Sequence, residues 1–268
     1  MPGSPHPDES VGPLERGFSV LRALAAAPGG RLRPSELTRA TGLARSTVDR
    51  LAATLAELGY LRAEGDGRDL VLAPAAARPG SAYLRACGLP GLLTRPAEEL
   101  SALLDESVSI AVPDRDAVRF IVQIKRRRAL SVAFRVGDAL PAERCAPGAI
   151  FARAWGEAEF ATWRARLAAD PGCQGFPALP AHRPEKESAA SFTRRIAAAA
   201  GSGCAEDDQL IEQGLIALAV PVFDRAGGAD GGGDVVCALS VVSHTSRQTV
   251  RSLRAAALPA LLAAAEAM

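Results

Sequence analysis

The sequence predicts an α+β protein of two domains: helices closed by a β-hairpin in the first eighty or so residues, then an antiparallel sheet with helices around it. Three observations carry this. Apolar residues recur at helical spacing in three segments before residue 59, and glycine closes each one. Two short leucine-containing stretches then bracket a polar turn rich in Gly and Asp, as in a hairpin. Beyond residue 107, apolar runs of strand length alternate with helical periods. At 268 residues and 48% hydrophobic content, the chain exceeds what one average domain needs.

The elements follow in order. Residues 1–12 hold three prolines and no apolar period, the composition of a disordered tail. Leu14, Phe18, Leu21 and Ala25, with Leu24 beside them, mark a first helix that Pro28-Gly29-Gly30 stops. Pro34, whose fixed φ suits the first helical position, opens a helix of about two turns through Glu36, Leu37 and Ala40, ending at Thr41-Gly42. A third helix spans 44–58, with Val48, Leu51, Leu55 and Leu58 as its apolar stripe and Gly59 as its cap. At one hundred degrees per residue, Ser46, Asp49, Arg50 and Ala53 fall opposite that stripe. Residues 60–62 and 70–72 form two strands around the turn 63–69, a wing.

Helix, short helix, glycine turn, longer helix and hairpin together specify a winged helix-turn-helix over residues 13–76, in which the third helix keeps one face exposed for a DNA groove. A linker helix region follows at 77–94, with a helix over 81–89, and the second domain takes 95–268. Pro96 stands at the first position of a helix through Leu100, Leu103 and Leu104. Strands are predicted over 108–112, 118–124, 130–136, 215–223 and 235–242, and helices over 149–155, 157–169, 188–200 and 247–265. The glycine run 227–233 lacks the Gly-Lys-Ser/Thr and following helix of a phosphate cradle, and reads as a hairpin loop.

Composition excludes several classes. The five cysteines, Cys87, Cys145, Cys173, Cys204 and Cys237, are odd in number and never spaced C-x-x-C, which suggests reduced, packed thiols and no cofactor or zinc cage. No apolar run has the length of a membrane span, and the first residues do not resemble a signal peptide, so a cytoplasmic protein without a membrane partner is expected. An enzyme is not expected: the histidines are His6, His182 and His244 only, with no G-x-S-x-G or H-E-x-x-H motif. The formal net charge is +1, so no long-range field draws the whole chain to nucleic acid. Within residues 1–75 nine arginines meet nine acids, whereas residues 31–62 hold six arginines against three.

DNA contact therefore rests on local placement. Ser46 and Thr47 offer hydroxyls to phosphates, and Arg50 offers a bidentate fork to a guanine edge or the backbone. Arg45 is read as a phosphate contact, and Arg68, flanked by Asp66 and Asp69, as a weaker wing contact. The alternative for Arg45, Ser46, Thr47 and Arg50 is an ordinary solvated helix face, and the fold context favours DNA contact over it.

Several segments resemble one family, the IclR-type bacterial regulators. In the first domain they are residues 14–21 (LERGFSVL), 42–51 (GLARSTVDRL) and 57–61 (ELGYL). In the second they are 136–141 (VGDALP), 214–224 (GLIALAVPVFD) and 238–242 (ALSVV). The resemblance implies a GAF-like effector-binding domain behind the winged helix-turn-helix, a homodimer or dimer of dimers on double-stranded operator DNA, and a small organic acid as effector. It carries the effector site onto Ala146, Pro147, Asp207, Ala217, Ser240 and Val242, and Cys145 of the same loop is taken with them. The stretch 127–132 (RRALSV) with Leu140-Pro141-Ala142 resembles the subgroup controlling aromatic-acid and β-ketoadipate catabolism. The basic run 125–128 reads equally as a solvated hairpin turn.

The pocket departs from the family pattern. Relatives place small polar residues or a thiol where this chain has Ala217 and Val242, and the loop 144–148 (RCAPG) lacks a Ser or Thr. A more apolar effector, or none, follows from that. Asp207 is either a ligand contact or a loop cap, and Arg144 either the counter-charge for a carboxylate or a surface residue. Ser246 is expected to cap the last helix, whose free N–H groups could support an anion. The alternative function is a ligand-binding or interaction module with weak or lost DNA binding, suggested by the neutral first domain and the altered pocket.

Overall fold

The structure is a computed structural model that describes residues 12–65, 67–126, 134–173, 175, 176, 178, 179, 188–224 and 233–268. The tail 1–11, Asp66, His182, the stretch 127–132 and most of the glycine run lie outside the described residues. The chain divides into two compact units, Met1–Tyr83 and Leu84–Met268.

In the first unit, α1 (Gly12–Ala26), α2 (Pro34–Thr41) and α3 (Arg45–Glu57) enclose a core of Val20, Leu24, Leu37, Val48, Ala52 and Leu61. Full burial of such side chains is worth about 1.5–3 kcal/mol each for the larger ones. Pro34 opens α2, the Glu36 carboxylate accepts from the Arg33 N–H at 2.7 Å, and Gly42, at φ +70°, ends it. A Schellman motif ends α3: Gly59 (φ +76°) donates to the Ala56 carbonyl and Tyr60 to that of Leu55. The wing pairs β2 (Leu61–Glu64) with β3 (Asp69–Leu72), and β1 (Arg31–Leu32) adds a third strand against β3.

Two details of the expected helices change. Leu14 and Phe18 are exposed, and α1 buries Val20 and Leu24, roughly a hundred degrees further round. Apolar residues lie on several sides of α1, so periodicity alone could not choose a face. Leu58 caps α3 and is 62% exposed, and Ala52 packs inward beside Val48.

α4 (Arg78–Ala86) precedes α5 (Leu89–Leu104). Pro90, and not Pro96, lies in the first turn of α5; Pro96 is inside it, where Leu93, Ala97 and Leu100 are buried. The second unit has one antiparallel sheet, ordered β6 (Ala139–Pro141), β5 (Ala117–Ile124), β4 (Ser107–Asp114), β9 (Val235–His244), β8 (Leu215–Phe223), β7 (Ala205–Asp208). Both faces are covered. α5 and α9 (Val250–Ala267) pack on one, against Ile110, Leu218, Val220, Leu239 and Val241. On the other, α6 (Ala146–Phe151), α7 (Glu157–Ala169) and α8 (Ala189–Ser202) pack against Ala111, Phe120, Ala219 and Ala238. Period-two alternation therefore sends Ala217, Ser240 and Val242 to the α6 side.

The polar strand β7 and the three-residue β6 carry no apolar run and were not expected. The predicted strand over 130–136 lies mostly outside the described residues, and Phe134 and Arg135 are irregular. α9 begins at Val250 with Thr249 as its cap, accepting from the Ser252 N–H at 3.2 Å. Ser246 does not cap it; its hydroxyl meets His244 Nδ1 at 2.9 Å.

Candidate DNA-binding face and effector pocket

α3 packs inward through Val48 and Ala52; Ser46, Arg50 and Ala53 stand exposed on the far side, Arg45 and Asp49 are exposed along its flank, and Thr47 is half-buried. Its cap residue, Ala44, supplies no side-chain hydrogen bond to the first turn. Arg45 Nε lies 2.9 and 3.0 Å from the two oxygens of Asp49, one turn on. Among the described residues no ion pair engages the Arg50 guanidinium. The wing differs. Arg62 and Arg31 share Glu64 at 3.0 and 3.3 Å, and Arg33 meets Asp69 at 3.4 Å. These exposed pairs add little stability, but each carboxylate offsets a cation that would otherwise face phosphate. Arg68 is exposed in the turn between β2 and β3.

In the second unit one pocket gathers seven of the eight residues expected at an effector site: Cys145, Ala146, Pro147, Asp207, Ala217, Ser240 and Val242. The exception is Arg144. It is 3% exposed, absent from the pocket wall, and its Nη1 donates to the Leu210 carbonyl at 3.3 Å. Among the described residues the cation in the wall is Lys125, which is exposed and accompanied by Gln123 and Ser107. Phe120 and Phe134, stacked at 5.5 Å between centroids, form an aromatic side, with Ile211 completing the apolar lining.

The floor is polar and organised. Ser109 and Ser240 face each other across β4 and β9 with their hydroxyls 2.7 Å apart. Asp207 is fully buried and its Oδ1 accepts from the Leu210 N–H at 2.8 Å, so it caps its loop whatever else it does. Burial pushes the Cys145 thiol up to about 12; a hydrogen bond from the Gly148 backbone opposes this and the Asp207 charge adds to it. The thiol is therefore neutral near pH 7, with little nucleophilic character. About 20 Å³ inside is open to a water-sized sphere, space for roughly one water molecule. An aromatic ligand has to spread this wall.

The loop that forms the wall is held from behind. Glu143, 1% exposed, receives Arg166 Nη1 and Nη2 at 2.8 and 2.6 Å and Trp163 Nε1 at 3.1 Å, while Arg166 Nε reaches Asp116 at 2.6 Å. Desolvation works to lower the Arg166 pKa; the Glu143 and Asp116 carboxylates outweigh it and hold it above that of ordinary arginine. Arg195 donates to the carbonyls of Glu143 and Cys145 at 2.9 and 3.0 Å. Two guanidinium groups thus fix the backbone from which Cys145, Ala146 and Pro147 project.

The IclR helix-turn-helix domain profile matches residues 13–65, and the profile of the bacterial transcriptional regulator IclR C-terminal domain matches residues 178–268. The Pca regulon regulatory protein of Pseudomonas putida is 31% identical over 252 residues, covering 94% of this chain and 80% of that protein. The chain belongs to the IclR family of bacterial transcriptional regulators. An IclR family regulator from Brucella abortus shares the fold with a TM-score of 0.72 at 20% identity, over 99% of this chain and 94% of that one. An IclR homologue from Microbacterium hydrocarbonoxydans, solved with 4-hydroxybenzoate, does so with a TM-score of 0.65 at 23% identity, over 96% and 100%.

As an IclR regulator the protein has a helix-turn-helix DNA-binding domain and a C-terminal effector-binding domain. The α6-side pocket uses five residues inside the C-terminal match, and the loop 145–147 and strands β4 and β5 that precede it. Sequence reasoning missed Lys125 as an individual wall residue, because the basic run 125–128 had an equally good reading as a turn. It also missed Ser109, whose hydroxyl in an otherwise apolar run was visible but whose partner, Ser240, is set by strand register.

Proposed function

We propose that this IclR regulator binds operator DNA through Arg45, Ser46, Thr47 and Arg50 of α3, with Arg68 of the wing, and that a small aromatic acid in the α6-side pocket shifts its operator affinity. A homodimer or dimer of dimers supplies two recognition helices for a two-fold operator. The observation that carries the effector reading is the polarity of the pocket: Lys125 in the wall, stacked Phe120 and Phe134 at the side, and buried Asp207 within. An acid enters with its carboxylate toward Lys125, away from the Asp207 charge, and its ring against the phenylalanines. The relative in Pseudomonas putida is named for the Pca regulon, and the Microbacterium homologue was solved with 4-hydroxybenzoate, which supports aromatic acids as the first compounds to test.

Effector binding favours one of two arrangements of the DNA-binding domains, and operator affinity changes by the difference in effector affinity between them. The test is a mobility shift on the DNA upstream of the protein's own gene, at low and moderate salt, with and without 4-hydroxybenzoate and related acids. A shift that responds to one acid supports the proposal; specific binding that no acid alters removes the effector half. The alternative, an interaction module with weak DNA binding, is favoured by the pairing of Arg31, Arg33 and Arg62 with acids. Its signature is binding that vanishes at moderate salt on every sequence.

A further inference from the structure

We infer that Asp49 is a specificity-determining positioning residue, which holds Arg45 so that its outer N–H fork reads a guanine edge, whereas Arg50 supplies phosphate attraction. This rests on α3 being the DNA-facing helix; it moves Arg45 from the phosphate contact suggested by the sequence to base reading, and settles Arg50 on the backbone side of the two roles left open for it.

The geometry separates them. Asp49 takes the inner edge of the Arg45 guanidinium, with both carboxylate oxygens within 3.0 Å of Nε. Among the described residues Asp49 engages Nε alone, which leaves Nη1 and Nη2 to donate to a base in the planar arrangement that matches O6 and N7 of guanine. Those base atoms are neutral acceptors, so a carboxylate behind the guanidinium does not spoil the contact, and it biases a long side chain toward one orientation before binding. A phosphate contact has the opposite requirement. Its attraction is the uncompensated charge, and Asp49 both offsets that charge and repels the phosphate. Arg50 is exposed about 140° further round α3, with no acid on its guanidinium among the described residues, which suits a backbone contact. Both arginines lie in the first two turns of α3, the part of a recognition helix that approaches base edges.

The experiment is selection from a randomised duplex library by the full-length protein and by Asp49→Ala, Asp49→Glu, Arg45→Ala and Arg50→Ala, followed by titration of selected and scrambled duplexes at two salt concentrations. The wild type is expected to enrich a motif with a guanine that Arg45→Ala no longer selects. Asp49→Ala should lose preference at that same position by at least about fivefold, the lower end of what a bidentate arginine–guanine contact contributes. It should bind scrambled duplex as tightly as wild type or more so. Asp49→Glu, which can still reach Nε from one turn away, should recover part of the preference. Arg50→Ala should weaken binding to all duplexes alike and lower the salt slope by about one. The inference is overturned if Asp49→Ala keeps the full guanine preference, or if Arg45→Ala weakens all sequences equally. Failure of the wild type to enrich any motif would instead sink the DNA-reading role of α3 itself. Asp49 and Arg45 are surface residues, so thermal unfolding of these variants should match wild type.

Discussion

Gly148 packs so closely on Ala142 that a Cβ added to it would lie 2.0 Å from the Ala142 carbonyl oxygen. The contact brings the start of α6 against the short 3₁₀ turn Ala142–Arg144, and so sets where Cys145, Ala146 and Pro147 enter the pocket wall. In an ordinary helix, Gly→Ala stabilises by roughly 0.5–1 kcal/mol. Here the sign reverses, because the obstructing atom is backbone and cannot rotate away. Gly148→Ala is expected to destabilise the protein by about 1–3 kcal/mol or more and to abolish effector-induced stabilisation. Urea unfolding with and without ligand checks this; a neutral or stabilising result would show that the two segments are free to part.

The Glu143–Arg166 pair predicts a non-additive cycle. Arg166→Met strips the main counter-charge from a carboxylate that is 1% exposed, and should cost about 3–5 kcal/mol. Replacing both, as Glu143→Met with Arg166→Met, removes the stranded charge and should recover a large part of that loss. Equal destabilisation by the single and double variants in urea would refute the brace.

Lys125 predicts a charge effect on ligand affinity with little effect on stability, since it is exposed. Lys125→Met should weaken an aromatic carboxylate by about fivefold, roughly 1 kcal/mol for a solvated ion pair, and leave the corresponding neutral amide unchanged. Calorimetric titration of acid and amide into both proteins separates the contributions. Identical acid affinity in the two proteins would place the carboxylate elsewhere.

The thiols predict a pH dependence. Burial pushes Cys237 up to about 12, and Cys145 reaches the same value mainly for that reason, from an ordinary value of 9.0. The folded state retains these protons while the unfolded state releases them above pH 9. Their contribution to stability is therefore fully present below pH 9 and is lost progressively as pH rises toward 12. At pH 8 a thiol reagent should label half-buried Cys87 rapidly and the buried Cys145, Cys173, Cys204 and Cys237 only on unfolding. Fast native labelling of all five would contradict the packing.

Arg50 predicts a backbone effect. Arg50→Ala should lower affinity for specific and scrambled duplex by the same factor, with a salt slope reduced by about one. A loss confined to one sequence, measured by fluorescence anisotropy over a salt series, would return Arg50 to base reading.

The helix-turn-helix was legible because its signals are local. Pro34, Gly42 and Gly59 act through their own backbone angles, and Val48 and Arg50 fall on opposite sides of α3 by the helical period alone. α1 was misread by about a hundred degrees because its apolar residues lie on several sides, and only the neighbours Leu37 and Val48 select Val20 and Leu24. Strands β8 and β9 announced themselves as apolar runs, whereas β7 is a strand only because its backbone pairs with β8.

By itself the sequence determined the helix-turn-helix, the longer strands, the family and seven of the fifteen residues that line the pocket, because each depends on side chains near one another in the chain or on a residue pattern. Only the tertiary structure decided which cation stands in the wall. Lys125 comes there from the end of β5, while Arg144, beside the pocket loop in sequence, is buried and donates to Leu210. That choice is made by strand register and by the burial of Glu143 with Arg166, contacts between residues far apart in the chain that no local period encodes.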